Sequence, residues 1–331
     1  MHSKLAFAVL LLSLCSACRH HQQKPSPTGA VSSQPVDTAP APTPPASASP
    51  EDEAIIQAVL ANGDEQERSV SGERAAVFGD NYPGTDAALH ECANDARKNV
   101  LNLVKLEHFD TKNIHLVLNE KCTKSNYEKW ATWVLTDIKI GDRRFFANSS
   151  HGAEDTDVDG KVIDVLVTAD MIYKNEWSSA TEVSPEFWSK LLRSTTGEFV
   201  FLNDSCHAGG QMRKIAGLAA IKNKRLVRSI DGPPAVQARL DKATERGASW
   251  RTAAITGSAI WACQSSELSE EDSIHGGLGT DAFWAARKKL IASNPKIGTV
   301  IQEANRILHS EYAASQHEGL TGSNKPMWSK D

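Results

Sequence analysis

The stretch "FVFLNDSCHAGG", residues 199–210, decides the fold. An apolar run ends in Asn203, Asp204 and Ser205, and Cys206 and His207 follow before a Gly-Gly pair. A run this short, bounded by turn residues, predicts a buried strand over 198–203 rather than a helix. "FFANSSHGAEDTDVDG", residues 145–160, has the same form. Its strand, predicted over 143–148, runs out just before Ser149, Ser150, His151 and Gly152. A histidine and a cysteine therefore each sit just past the end of a predicted strand.

Working outward, further strands are predicted over 74–79, 114–119, 163–168 and 251–256. Helical spacing of apolar residues predicts helices over 86–105, 126–136, 185–193, 210–220, 280–292 and 299–312. Short apolar strands alternating with helices predict an α/β three-layer sandwich on a mostly parallel, six-stranded sheet. In such sheets, functional loops lie outside the carboxyl ends of the strands. Residues 221–250 break the rhythm with Lys, Arg and Gly-Pro-Pro and read as an exposed basic insert. Of the 331 residues 40% are hydrophobic, enough for a core, and a net charge of −5 gives no whole-chain reason to expect nucleic acid.

Residues 1–18 read as a targeting signal, with Lys4, a short apolar run from Leu5 to Leu14, and small residues up to Cys18. That run is too short to span a bilayer as a helix. A cysteine straight after Ser-Ala resembles a bacterial lipoprotein cleavage site, which makes Cys18 the lipidated N-terminus of an exported, membrane-anchored chain. The alternative is an ordinary secretory signal. Residues 19–53, rich in Pro, Ala, Ser and Thr, read as a tether, and 54–331 as the globular domain. Cys92, Cys122, Cys206 and Cys263 have no zinc-site spacing. Cys92 and Cys122 can be a disulfide or small buried residues.

The chemistry of the two loops is specific. Only a thiolate is a good nucleophile, and a free thiol has a pKa of about 8.5. A histidine beside it can accept the proton and return it to a leaving amine. The backbone N–H groups of Gly152 and Cys206 are candidates to polarise the scissile carbonyl, at roughly 3 to 4 kcal/mol each. His151 and Cys206 are 55 positions apart, consistent with the spacing of roughly 50 found in caspases.

"SSHG" and "DSCHAGG" resemble the "SGHG" and "DSCHSGG" motifs of metacaspases and their bacterial relatives. "GDNYPGTDAALHECANDA" (79–96), "DGKVIDVLVTAD" (159–170), "SAIWACQSSELSEE" (258–271) and "LTGSNKPMW" (320–328) are similar to further blocks of that family. The resemblance implies the caspase fold and a cysteine endopeptidase with His151 and Cys206 as its dyad. It implies an acidic pocket of Asp95, Ser149 and Asp204 that takes Arg or Lys, and unpaired Cys92 and Cys263. Two carboxylates would pair with a basic side chain and repel an acidic one. Ser150 stands where the family has glycine, and Asp80 where it has an apolar residue.

Cleavage after basic residues fits self-processing in the insert, with Lys222, Lys224, Arg225 and Arg228 as candidate sites; a solvated loop that is never cut is the alternative. No cofactor is expected for this chemistry. Many metacaspases use calcium, and Glu154, Asp155, Asp157 and Asp159 offer hard oxygen ligands. The family's later Asp-Asp pair has no counterpart, so a solvated acidic loop is the favoured expectation. Expected partners are proteins or peptides with basic residues, and the resemblance implies a monomer. The rival expectations are a caspase-fold binding or scaffold module without turnover, and a legumain-like or sortase-like enzyme.

Overall fold

The computed structural model describes residues 49–63, 72–156, 162–178, 180–206, 256–263 and 269–328. In chain order the elements are α1 (Pro50–Leu60), β1 (Glu73–Gly79), α2 (Cys92–Lys105), β2 (Ile114–Leu118) and α3 (Lys124–Leu135). Next come β3 (Arg143–Ser149), β4 (Gly152–Thr156), β5 (Val162–Leu166), α4 (Ala169–Tyr173), α5 (Pro185–Ser194) and β6 (Val200–Asp204). The last are β7 (Ser258–Trp261), β8 (Glu271–Asp272), β9 (Gly276–Gly277), α6 (Leu278–Leu290), α7 (Ile297–Ser310) and β10 (Gly319–Gly322).

Six strands form one sheet in the order β10-β7-β6-β3-β1-β2, parallel except for β10. Alternation along each strand builds two cores. Ala75 and Val77, Phe145 and Ala147, Val200 and Leu202, and Ile260 face one core, with α1, α2, α6 and α7 packed over them. Ala76 and Phe78, Phe146, Phe201 and Ala259 face the other, under α3 and α5. This is the period of two that a strand imposes. Side-chain caps set several helix starts: Ser49 caps α1, Thr123 caps α3 and Ser184 caps α5, with Pro in the first turn of α1 and α5.

The strand order reverses beside β1, whose neighbours are β2 on one side and β3 on the other. A crevice at the carboxyl ends of β1 and β3 is the expected place for a site.

The six-stranded, mostly parallel sheet is as expected, but its membership differs. The strand expected over 163–168 lies outside it and forms a separate hairpin of β4 with β5. Its place is taken by β10, a Gly-bounded segment whose composition carries no strand signal. The strand expected over 251–256 lies, except for its last residue, outside the described residues, and a strand is observed at Ser258–Trp261. There "SAIW" alternates between the two cores, with Ala259 in one and Ile260 in the other. The helix expected from residue 86 starts only at Cys92, because 80–91 form a turn-rich loop. Helices α6 and α7 each start two residues earlier than their apolar spacing indicated. Helix α1 begins at Pro50, inside the stretch read as tether.

Candidate active site

Three loops meet at the carboxyl ends of β1, β3 and β6. The ladders continue past the strands, because Asp80 N–H donates to the Ser149 carbonyl at 3.1 Å and Ser150 N–H to that of Asp204 at 3.3 Å. His151 leaves β3 and is tied to the hairpin by Val167 N–H, which donates to its carbonyl at 3.2 Å. Gly152 then lies against the turn after β6, where a Cβ would overlap the carbonyl oxygen of Cys206. Only glycine permits that approach. The histidine loop and the cysteine loop are thus in direct backbone contact.

His151 is 5% exposed. Its Nε2 lies 2.8 Å from the Ala87 carbonyl oxygen. A carbonyl only accepts, so Nε2 carries the proton, and in the neutral ring Nδ1 is the basic nitrogen. The Tyr82 ring stacks on the imidazole with centroids 5.1 Å apart. Tyr82 has φ +48°, unusual for a bulky residue. It is held there by its N–H, which donates to Asp80 Oδ1 at 2.8 Å, and by its hydroxyl, which donates to the Val167 carbonyl at 2.8 Å. Burial pushes the carboxyl of Asp80 up to about 8, so it is largely protonated at neutral pH.

Cys206 is fully buried. Ser269 N–H donates to its Sγ at 3.2 Å. A backbone donor aimed at sulfur favours the thiolate. Cys263 is also buried, and its thiol lies 3.2 Å from the Ser205 carbonyl. Cys92, Cys122, Cys206 and Cys263 form no disulfide in this structure, so Cys92 and Cys122 are small buried residues there.

Strand parity sorts the remaining groups. Ser149 is in register with Asp204, and both project to the face of α2 and α6. There Ser149 Oγ donates to Asp95 Oδ2 at 2.7 Å, and Gly277 N–H donates to Asp95 Oδ1 at 2.7 Å. Asp204 is held separately: Ser269 Oγ donates to Oδ1, and the N–H and hydroxyl of Thr280 donate to Oδ2, each at 2.8 Å. Asp95 and Ser149 therefore touch, while Asp204 stands one strand away with its own donors.

On the opposite face Asn148 and Asn203 are in register, and Asn148 Nδ2 donates to Asn203 Oδ1 at 2.9 Å. The Tyr127 hydroxyl donates to Asn148 Oδ1 at 2.6 Å, and Asn148 Nδ2 also donates to Ser150 Oγ at 3.1 Å. This network stiffens the base of both loops. The repeated ending, "FFAN" and "FLN", was its trace in the sequence. Ala87, Tyr82, Ser269 and Thr280 gave no such trace, since their roles depend on backbone atoms or on distant segments.

The geometry is thus a cysteine and a histidine at the ends of adjacent parallel strands, with two buried carboxylates alongside. A family model described as the caspase domain matches residues 73–330. The chain belongs to the caspase domain family.

This caspase-family chain is 27% identical over 146 residues to Metacaspase-1 of Kluyveromyces lactis, covering 41% of this chain and 33% of that one. It is 29% identical over 149 residues to Metacaspase-2 of Trypanosoma brucei brucei, covering 42% of each. It thus spans well under half the length of these metacaspase relatives. Its fold is similar to that of GSU0716 from Geobacter sulfurreducens, with TM-score 0.51 at 16% identity, over 78% of this chain and 97% of that one.

Glu154 and Asp155 are neighbours on β4, one exposed and one buried, so they face opposite ways and do not converge on one ion. No group of three or more metal-ligating side chains occurs among the described residues. Asp157 and Asp159, the insert candidates Lys222, Lys224, Arg225 and Arg228, and Cys18 lie outside the described residues.

Proposed function

We propose that this caspase-family chain is a cysteine endopeptidase that cleaves after arginine or lysine, with Cys206 as nucleophile and His151 as its base. The observation that carries the reading is the backbone contact of Gly152 with Cys206, which sets the two loops against each other. The Ala87 carbonyl fixes the imidazole tautomer, so Nδ1 takes the thiol proton. The thiolate attacks the scissile carbonyl, and the N–H groups of Gly152 and Cys206 receive the developing oxyanion. The imidazolium then returns its proton to the leaving amine, and water releases the acyl group by the reverse path.

Asp95 and Asp204, buried acidic groups on one face beside the nucleophile, support the basic preference together with the Ser149 hydroxyl that donates to Asp95. Self-cleavage in the 221–250 insert and lipid anchoring through Cys18 belong to the same proposal. They are tested by the size of the mature fragments and by labelling with a fatty acid.

A module without turnover draws on one observation. Both Cys206 and His151 are buried, and Ser269 covers the sulfur. The test assays the full chain on peptides ending in Arg, Lys, Asp or Asn before a fluorogenic group, with and without calcium, beside Cys206→Ala. Cleavage after Arg or Lys that disappears in Cys206→Ala supports the peptidase. No turnover of any peptide by folded protein moves the assignment to the binding module.

A further inference from the structure

Tyr82 and Ala87, which hold the His151 imidazole, both belong to the loop 80–91 between β1 and α2. Tyr82 stacks on the ring with centroids 5.1 Å apart, and the Ala87 carbonyl lies 2.8 Å from Nε2. The loop carries no helix or strand, so its shape depends on hydrogen bonds of its own. Asn81 closes the neck. Its carbonyl accepts from Leu89 N–H at 2.8 Å, its Oδ1 accepts from Ala93 N–H of α2 at 3.0 Å, and its N–H donates to Asn119 Oδ1 at 3.1 Å.

Within that neck "YPGT", residues 82–85, makes a turn. Pro83 and Gly84, the latter at φ +76°, suit the two central positions of a type II turn, and Thr85 N–H donates to the Tyr82 carbonyl at 3.3 Å. The turn brings the Thr85 side chain between the two residues that hold the imidazole. Thr85 Oγ1 donates to the Tyr82 carbonyl at 2.8 Å and accepts from Ala87 N–H at 3.2 Å. A hydroxyl has one donor and two acceptor sites, so it makes both bonds at once. The next peptide is tied to the same residue. Ala88 N–H, which shares a peptide with the Ala87 carbonyl, donates to the Thr85 carbonyl at 3.2 Å. Thr85 therefore grips Ala87 from both sides.

We propose that Thr85 is a positioning residue, whose hydroxyl sets the Ala87 carbonyl against Nε2 and so keeps Nδ1 of His151 as the base. The proposal rests on the reading of His151 as the base of a peptidase. Valine matches the shape of threonine but offers neither bond. In its place the peptide on the N-terminal side of Ala87 loses its acceptor, and the carbonyl that fixes the tautomer loses its aim. Thr85 acts through His151, so its contribution falls on the chemical step rather than on substrate binding.

The experiment compares the full chain with Thr85→Val and Thr85→Ser on the Arg reporter peptide. In Thr85→Val, kcat is expected to fall roughly tenfold, the scale of one lost hydrogen bond, with KM within about twofold of wild type. Thr85→Ser keeps the hydroxyl and is expected to keep kcat within a few-fold. Nitrogen NMR of the histidine-labelled chain, with His151 assigned through His151→Gln, reads the ring directly and needs no substrate. Wild type is expected to show Nε2 protonated and Nδ1 bare, and Thr85→Val to show the two signals drawn together by mixed tautomers. A role confined to stability lowers the melting temperature but moves neither signal. Thr85→Ala, which also lacks the hydroxyl, decides the matter if Thr85→Val does not fold. A folded variant without the hydroxyl whose kcat and nitrogen signals match wild type overturns the role of Thr85 while leaving the peptidase intact. A wild-type chain that cuts no peptide overturns the peptidase reading instead. The nitrogen signals then decide for Thr85: drawn together they support its hold on the ring, and unchanged they overturn it.

Discussion

Gly152 and Cys206 are packed backbone to backbone, with no room for a side chain between them. Gly152→Ala is therefore expected to push the cysteine turn away from His151. A misplacement of about 1 Å can cost a hundredfold in rate. The measurement is kcat of Gly152→Ala on an Arg reporter beside its thermal unfolding. A fall in kcat of that order in a chain that still melts cooperatively fits the geometry. Unchanged kcat contradicts it.

The stack of Tyr82 on His151 predicts an effect on rate that separates ring from hydroxyl. Tyr82→Phe keeps the ring and loses only the bond to Val167, so kcat is expected within a few-fold of wild type. Tyr82→Leu loses the aromatic face, worth about 0.5–1.5 kcal/mol, and is expected to lower kcat roughly tenfold. Equal kcat values for the two variants would remove the stack from the account.

Asp80 makes stability depend on pH. Its carboxyl titrates at about 8 in the folded chain, against about 3.9 when unfolded. Between those values the folded state holds one more proton, so this group's contribution falls as pH rises from about 4 to about 8. Asp80→Asn keeps an acceptor for Tyr82 N–H and removes the titration. The melting temperature of the variant relative to wild type is expected to rise between pH 5 and pH 8. A constant difference across that range counts against a buried, protonated Asp80.

Arg287 of α6 and Glu107 form an ion pair with Nε–Oε1 2.7 Å, both side chains 4% exposed, and the Trp328 indole donates to the same carboxylate at 2.8 Å. Removing one partner leaves a buried charge, at about 3–5 kcal/mol. Glu107→Ala is expected to lower the denaturation free energy by that order, read from urea unfolding. Replacing both residues by apolar ones of similar size is expected to recover much of the loss.

The sequence carried the strand ends beside His151 and Cys206 better than it carried the membership of the sheet. Cys206 and His151 were legible because buried strands ending in turn residues announce where a parallel sheet presents its loops. The interior strands β1, β3 and β6 had the same clarity, since residues buried on both faces form unbroken apolar runs, whereas the interior strand β7 was not read at Ser258–Trp261. Strand β10 had none, because four residues flanked by glycine owe their place to pairing with β7. The hairpin strand β5 misled for the converse reason: Ile163 and Val165 are buried under a small cluster of their own with Tyr82 and Met171, away from the main sheet. Asp95, Ser149 and Asp204 entered by family resemblance. Their donors, Gly277, Ser269 and Thr280, come from 65 or more positions downstream, and no local pattern reports such a contact.

The acids at Asp95 and Asp204 lie before the basic insert, whereas the donors that hold them from Gly277, Ser269 and Thr280 lie after it. Strand β7 adds to β6 across the same division. Two polypeptides made separately, one ending and the other beginning within the insert, therefore carry complementary halves of one set of buried hydrogen bonds. Neither half can satisfy its buried polar groups alone, and each supplies what the other lacks. Mixed together, they are expected to find one another and assemble, as a split reporter does, with the sheet edge and the carboxylates as the adhesive.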